Sequence, residues 1–270
     1  MDINDLSCLK EIANNVRLAV MPLIGTFESR KVLGRGFGGD RTLLIDEVAE
    51  NSITKFLEEN GLSCIFIGEE RGVKKFGEKP THYMIVDAVD GTTNAIRGVS
   101  FVSTSLAVSP TNDLGSIEVA LVMNLCSGET FEAKKGEGAK FQGKEIKTSE
   151  TLYLKDAILG VDVSRAPNTV ELAVPLMKKA RCVRAFGSAS LEICHVASGF
   201  FDAYVDLRGA LRTLDIAAAL LIVKEAGGTM TQHNGAGFNG YLLTEMNRFS
   251  VIAAANKTLH RDIFTFLAKS

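Results

Sequence analysis

Apolar residues at Ile3, Leu6, Leu9, Ile12, Val16 and Val20 recur at helical spacing, which predicts an amphipathic helix over residues 3–24, ended at Gly25. A second helix is predicted over 46–60, with Val48, Ile53, Phe56 and Leu57 on one face and Gly61 closing it. Between them, residues 34–40 read Gly-Arg-Gly-Phe-Gly-Gly-Asp, a composition that suits neither helix nor strand and predicts a flexible loop, read here as a lid. Continuous apolar runs at 64–67 and 83–86 predict two buried strands. Segments 101–109 and 117–125 read as antiparallel strands, and 128–143 as hairpins turning at Gly136, Gly138 and Gly143. The chain then alternates strand and helix: strands at 157–163, 182–186, 203–207 and 249–255, and helices at 168–180, 188–198, 213–226 and 258–267. A boundary near 148–155 separates an N-terminal α+β half (1–150) from a C-terminal α/β half (151–270), two halves rather than two independent domains.

Composition narrows the class. The 270 residues are 46% hydrophobic and 23% charged, enough for a sizeable core and unlike a disordered chain. A formal net charge of −2 argues against a general nucleic-acid surface. The five cysteines form no C-x-x-C pair and read as small core residues in a reducing compartment. The opening Met-Asp-Ile-Asn-Asp is acidic, unlike a signal peptide, and no apolar run is long enough to span a bilayer. The expectation is a soluble, cytoplasmic protein with no membrane or nucleic-acid partner.

The candidate chemistry lies at strand ends. The run at 83–86 leads into Asp87 and Asp90, then Gly91, which permits a tight turn, and Thr92-Thr93-Asn94, which are helix-opening residues. Two acids at the carboxyl end of a strand, followed at once by a helix start, suit a cation and an anion held side by side, as in a metal-bound phosphate. The run at 64–67 ends in Gly68-Glu69-Glu70, a second acid pair. Alone it would read as a solvated loop, and its place just before the first pair raises its weight. Asp215 sits in the first turn of the 213–226 helix, where a single acid is commonplace against the helix dipole. Ala217, Ala218 and Ala219 give that helix a face small enough for close approach. Gly34, Gly36 and Gly39 spell G-x-G-x-x-G but lack the preceding strand and following helix start that a nucleotide site needs, and no kinase motif accompanies them. The four histidines show no ligand spacing.

Gly68-Glu69-Glu70, then Asp87-Ala88-Val89-Asp90-Gly91-Thr92-Thr93-Asn94, then Asp215-Ile216-Ala217-Ala218 resembles the G-E-E, D-x-(I/V/L)-D-G-T-T-N and W-D-x-A-A signatures of the inositol monophosphatase superfamily. The likeness covers nearly the whole chain, and the wording around Asp206-Leu207-Arg208-Gly209 is most similar to archaeal members described as acting on fructose 1,6-bisphosphate and inositol monophosphate. Leu214 stands where the family has tryptophan.

The resemblance implies an α/β fold, the layered αβαβα sandwich of the sugar phosphatases, and a homodimer. It implies phosphate monoester hydrolysis with two or three Mg²⁺ ions, Mn²⁺ being the expected substitute. Glu69, Asp87 and the carbonyl of Val89 would hold one metal, and Asp87, Asp90 and Asp215 a second. Thr92 and Asp40, with Glu69, would serve the attacking water. Gly91 and Thr92 would bind phosphate through backbone N–H groups. Gly187-Ser188-Ala189 resembles the family's substrate-contacting turn. A second phosphate on the substrate would need a cation, for which Arg165 and Arg208 are the better candidates and Arg184 a weaker one. Alternative substrates are 3′-phosphoadenosine 5′-phosphate and NADP. An alternative of another class is a non-catalytic interaction protein on the same scaffold.

Overall fold

In the computed structural model, which describes residues 1–37, 39 and 41–267, two mixed sheets alternate with three helical layers. The helices are α1 (Leu6–Val20), α2 (Leu44–Glu59), α3 (Thr92–Arg97), α4 (Pro167–Lys179), α5 (Ala189–Ala197), α6 (Thr213–Glu225) and α7 (Lys257–Leu267). The strands of the first half are β1 (Val32–Arg35), β2 (Arg41–Leu43), β3 (Cys64–Gly68), β4 (Gly72–Phe76), β5 (Tyr83–Asp90), β6 (Ser103–Ser109), β7 (Val119–Asn124), β8 (Thr130–Lys134), β9 (Ala139–Phe141) and β10 (Lys144–Ile146). Those of the second half are β11 (Ile158–Asp162), β12 (Cys182–Arg184), β13 (Ala203–Arg212), β14 (Thr229–Gln232) and β15 (Arg248–Ala254).

The eight-stranded sheet has the order β10-β9-β8-β7-β6-β5-β3-β4, and the five-stranded sheet the order β12-β11-β13-β15-β14. Alternate residues of each strand point to opposite faces, and here both faces are apolar. Met84 and Val86 of β5 join Leu106, Val108, Val119 and Leu121 in a core with Leu9, Ile12 and Val16 of α1 and Ile45, Ile53 and Leu57 of α2. Ile85, between Met84 and Val86, faces the other way, into a core with α5, α6, and Tyr204, Val251 and Ala253 of the second sheet. Ala203, Val205, Ile252 and Ala254 face outward onto Leu176 of α4 and Leu259 and Ile263 of α7. The layers are therefore α1/α2, sheet, α5/α6, sheet, α4/α7, the expected αβαβα sandwich. Because α6 lies between two sheets, it is buried almost all round, and Ala217, Ala218 and Ala219 give it the required slenderness.

Four local expectations are corrected. The glycine-rich segment is not simply a loop, because its flanks pair as the antiparallel β1 and β2. The strand expected over 83–86 runs on through both acids to Asp90. The strand expected over 203–207 reaches Arg212, across a register irregularity between Asp206 and Leu211. Strands β4 and β14 are additional, each short and half-exposed enough to hide an apolar pattern.

Candidate active site

The acids meet because strands end together. β3 and β5 run parallel with Ile67 opposite Ile85, so Glu69, just past β3, comes level with Asp87 in β5. Residues three apart on a regular strand face opposite ways. Between Asp87 and Asp90, however, the register against β6 shifts: Asp87 pairs Ser105 and Asp90 pairs Ser103. This bulge carries one extra residue and turns both carboxylates to one side. Gly91 follows at φ 90°, where a Cβ would lie 3.1 Å from the Phe101 carbonyl and 3.2 Å from that of Gly187.

Glu69, Asp87, Val89, Asp90, Gly91, Thr92, Gly187, Ala189, Asp215, Arg165 and Arg208 all line one cavity of ≈ 360 Å³. Ser188 is buried behind it, and its hydroxyl donates to Asp90 Oδ2 at 2.7 Å. The same oxygen accepts the Ser190 N–H at 2.8 Å and the Ser190 hydroxyl at 2.6 Å, so the bonds of α5 fall on Oδ2. Asp87 is raised well above the usual carboxylate range, first by burial and then by the neighbouring charges of Asp90 and Asp215. Asp90 is raised by burial, against the hydrogen bond from Ser190, which lowers it. Asp40 lies outside the described residues.

The hydroxyl of Thr92 stands 3.1 Å from Asp46 Oδ1 and 3.1 Å from the Val89 carbonyl oxygen, two acceptors for its one proton. Asp46, in the first turn of α2, accepts the Leu43 N–H at 3.2 Å. Burial, then Glu69 and Glu70, push its carboxyl up to about 7. Sequence reasoning passed over Asp46 because an acid opening a helix is commonplace.

Arg212 was missed as well. Its guanidinium donates to both carboxylate oxygens of Glu69, with Nη2–Oε2 at 2.8 Å, and to Asp215 Oδ1 at 3.0 Å. Its backbone N–H donates to Asp215 Oδ2 at 2.7 Å. Burial works against the guanidinium charge, but Asp215 and Glu69 more than offset it and hold the group firmly protonated. Among the described residues no three His, Cys, Asp or Glu side chains are arranged as a closed metal-ligand set, and Arg212 stands between two of the acids. The donor chemistry nevertheless fits a hard divalent cation: every candidate ligand is an oxygen, and the burial that lifts Asp87 and Asp90 would be relieved by positive charge.

Two buried glutamates hold the surrounding backbone. Glu50 of α2 accepts the N–H groups of Glu70 at 2.9 Å and Arg71 at 2.8 Å, fixing the turn after Glu69. Glu70 also takes the Thr42 hydroxyl on its carboxylate and the Phe37 N–H on its carbonyl, so it ties the glycine segment to that turn. Glu192 of α5 accepts the N–H groups of Phe186 at 3.0 Å and Gly187 at 2.9 Å, fixing the 187–189 turn. Arg208 is paired with Asp206 (Nη2–Oδ2 2.6 Å) and with Asp162 (2.9 Å). Arg184 is exposed and bonds its neighbour's carbonyl, away from the cavity.

The family model of the inositol monophosphatase family matches residues 6–269. The chain belongs to the inositol monophosphatase family. A relative in Methanothermobacter thermautotrophicus, a fructose-1,6-bisphosphatase/inositol-1-monophosphatase, is 37% identical over 95% of this chain and 94% of its own. A bifunctional NADP phosphatase/NAD kinase of Methanococcus maripaludis is 33% identical over 93% of this chain, which spans about half that protein's length, 47%. Human inositol monophosphatase 1 is 32% identical over 83% of this chain and 80% of its own. The crystal structure of an inositol monophosphatase-fructose 1,6 bisphosphatase superposes with a TM-score of 0.83 at 28% identity, covering 96% of this chain and 98% of that one. The family's fold is thus the one described above, and the motif residues occupy its cavity.

Proposed function

We propose that this chain is a divalent-metal-dependent phosphoric monoester hydrolase acting on small sugar or inositol phosphates. One observation carries the reading: a hydroxyl directed at a half-buried carboxylate, Thr92 at Asp46, stands at a cavity lined by four further acids, Glu69, Asp87, Asp90 and Asp215. Glu69, Asp87, Asp90, Asp215 and the Val89 carbonyl would hold Mg²⁺, two or three ions in all. When bound, the metal supplies positive charge for the phosphate and the leaving oxygen, and acidity for a water. The protein's own residues do the rest. Thr92, with its hydroxyl proton on Asp46 Oδ1, keeps an oxygen lone pair to accept from the attacking water, and Asp46 is placed to receive the proton through it. Among the described residues Asp46 is the acid in reach of Thr92; Asp40, expected in the same role, lies outside them. The Gly91 and Thr92 amides border the cavity where phosphate oxygens would lie. The 187–189 turn, held by Glu192, borders the cavity through Gly187 and Ala189.

The chain is further read as a cytoplasmic homodimer. Its five free cysteines suit a reducing compartment, and the exposed rings of Phe186 and Phe200 offer apolar surface to a second copy. Similarity to a protein named NADP phosphatase keeps NADP as a second substrate candidate.

The test is phosphate release with Mg²⁺ from fructose 1,6-bisphosphate, inositol 1-phosphate, 3′-phosphoadenosine 5′-phosphate and NADP, with and without EDTA. EDTA-sensitive release that falls at least about 100-fold in Asp90→Asn is expected, on the scale of losing one preorganised electrostatic group. No release from any of the four by folded, Mg²⁺-supplied protein would refute the hydrolase reading.

A further inference from the structure

Four arginines border the cavity: Arg165, Arg208, Arg212 and Arg248. Two are already matched by carboxylates. Arg212 serves Glu69 and Asp215, and Arg208 lies between Asp206 and Asp162, one positive charge against two negative ones. An incoming anion would have to strip Arg208 from a forked pair and would meet surplus negative charge behind it. The other two differ. Among the described residues Arg165 has no hydrogen bond or ion pair, and Arg248 has only the Ala210 carbonyl, 3.3 Å from Nη1.

Placing them there carries a cost. Arg248 on β15 is directly opposite Arg212 on β13 in an antiparallel pair, so two guanidinium groups share one face. Like charges in that relation repel. Arg165 takes up φ 58°, a left-handed conformation that side chains other than glycine rarely adopt, in the link between β11 and α4. Two cations that lack acidic partners among the described residues, one of them on a strained backbone, border the same cavity as the acid cluster. An anion bound between them would supply the counter-charge that both lack.

We propose that Arg165 and Arg248 form the seat for a second anionic group on the substrate, so that they set a preference for phosphate esters with a second phosphate or a carboxylate over esters whose phosphate is the one anionic group. The proposal rests on the phosphatase reading above. It assigns Arg208 to a different task, tying the end of β11 to β13 through Asp162 while Asp206 orients its guanidinium. Arg248 lies in the second half's last strand, outside every motif of the sequence.

The test compares steady-state constants for fructose 1,6-bisphosphate, which has two phosphates, and inositol 1-phosphate, which has one, in the full chain and in Arg165→Ala, Arg248→Ala and Arg248→Glu. Both side chains are exposed, so the variants are expected to fold, and thermal melting checks this. The expected result is a KM for the bisphosphate raised about tenfold by each alanine and further by the glutamate, with kcat changed much less, as for loss of a charge-assisted bond to a group remote from the reacting phosphorus. The shift for inositol 1-phosphate should be severalfold smaller, and the bisphosphate KM should climb more steeply with NaCl. Equal effects on both substrates, or a bisphosphate KM indifferent to all three variants, would overturn the seat. So would wild-type enzyme that hydrolyses inositol 1-phosphate yet neither cleaves nor is inhibited by the bisphosphate, a result that leaves the phosphatase reading standing. Absence of hydrolysis of either ester by the wild type would instead remove the phosphatase reading and the seat with it.

Discussion

A threonine hydroxyl has one proton, and at Thr92 two acceptors stand within 3.1 Å of it: the Asp46 carboxylate and the Val89 carbonyl. Which one takes the proton decides where the oxygen's lone pairs point, and only a partner that can itself accept a proton completes a relay. Replacing Asp46 by Asn leaves the shape and removes that capacity. Asp46→Asn and Thr92→Ala should each lower kcat by about 10²- to 10⁴-fold, the range for general acid–base groups, with KM much less affected. Because the two residues act as one unit, the double variant should be little worse than either single one. Full additivity in steady-state assays would show that they act separately.

The helix α5 shows how one element can carry opposed pH effects. Glu192 is buried, and burial pushes its carboxyl up to about 8, against the hydrogen bonds from Gly187 and Phe186, which lower it. Its contribution to stability is complete below about 4.5 and drains away as pH rises toward 8. His195, one turn further on, packs among Phe101, Phe131, Phe200 and Phe201. Burial lowers its imidazole to about 4, so its contribution is complete above about 6.5 and lost as pH falls toward 4. The melting temperature should therefore decline on both sides of a plateau. His195→Phe, which suits the aromatic surroundings, should flatten the acid limb, and Glu192→Gln should flatten the limb above pH 6. Melting curves between pH 4.5 and 8.5 check this, and limbs unchanged by either substitution would contradict it.

At the scale of the molecule, the site is a seam between the two sheets. Arg212 at the end of β13 grips Glu69 at the end of β3, Ser188 just before α5 and Ser190 within it grip Asp90 of β5, and the Asn94 side chain donates to the Phe186 carbonyl at 2.6 Å. Removing Arg212 leaves Glu69 and Asp215 facing each other without their cation. Breaking such a largely buried pair costs about 3 kcal/mol, so Arg212→Met should melt roughly 5–10 °C lower in EDTA. Mg²⁺ should restore more of that loss in the variant than it adds to the wild type, because it supplies the missing charge. Calorimetry with and without Mg²⁺ tests both halves of the statement, and equal melting of the two proteins in EDTA would dispose of it.

Much of this was legible in residue order. Period-3.6 and period-2 patterns located most elements, with β1, β2, β4 and β14 the exceptions, because a core buried on both faces of two sheets leaves a strong apolar signature. The signatures at 68–70, 87–94 and 215–218 named the acids, because hard-oxygen chemistry needs those side chains at strand and helix ends. What only the tertiary structure decided concerns pairing across the chain. Asp46 and Thr92 are 46 residues apart, and Arg212 and Glu69 are 143 apart; no local pattern records that they touch. The bulge that turns Asp87 and Asp90 to one face is a property of the ladder with β6, not of the strand itself. A lone arginine looks the same in sequence whether carboxylates pair with it, as at Arg208, or none does among the described residues, as at Arg248. Local sequence dictates which groups exist and which element carries each one, whereas charge balance at a site depends on what packing brings within a few ångströms.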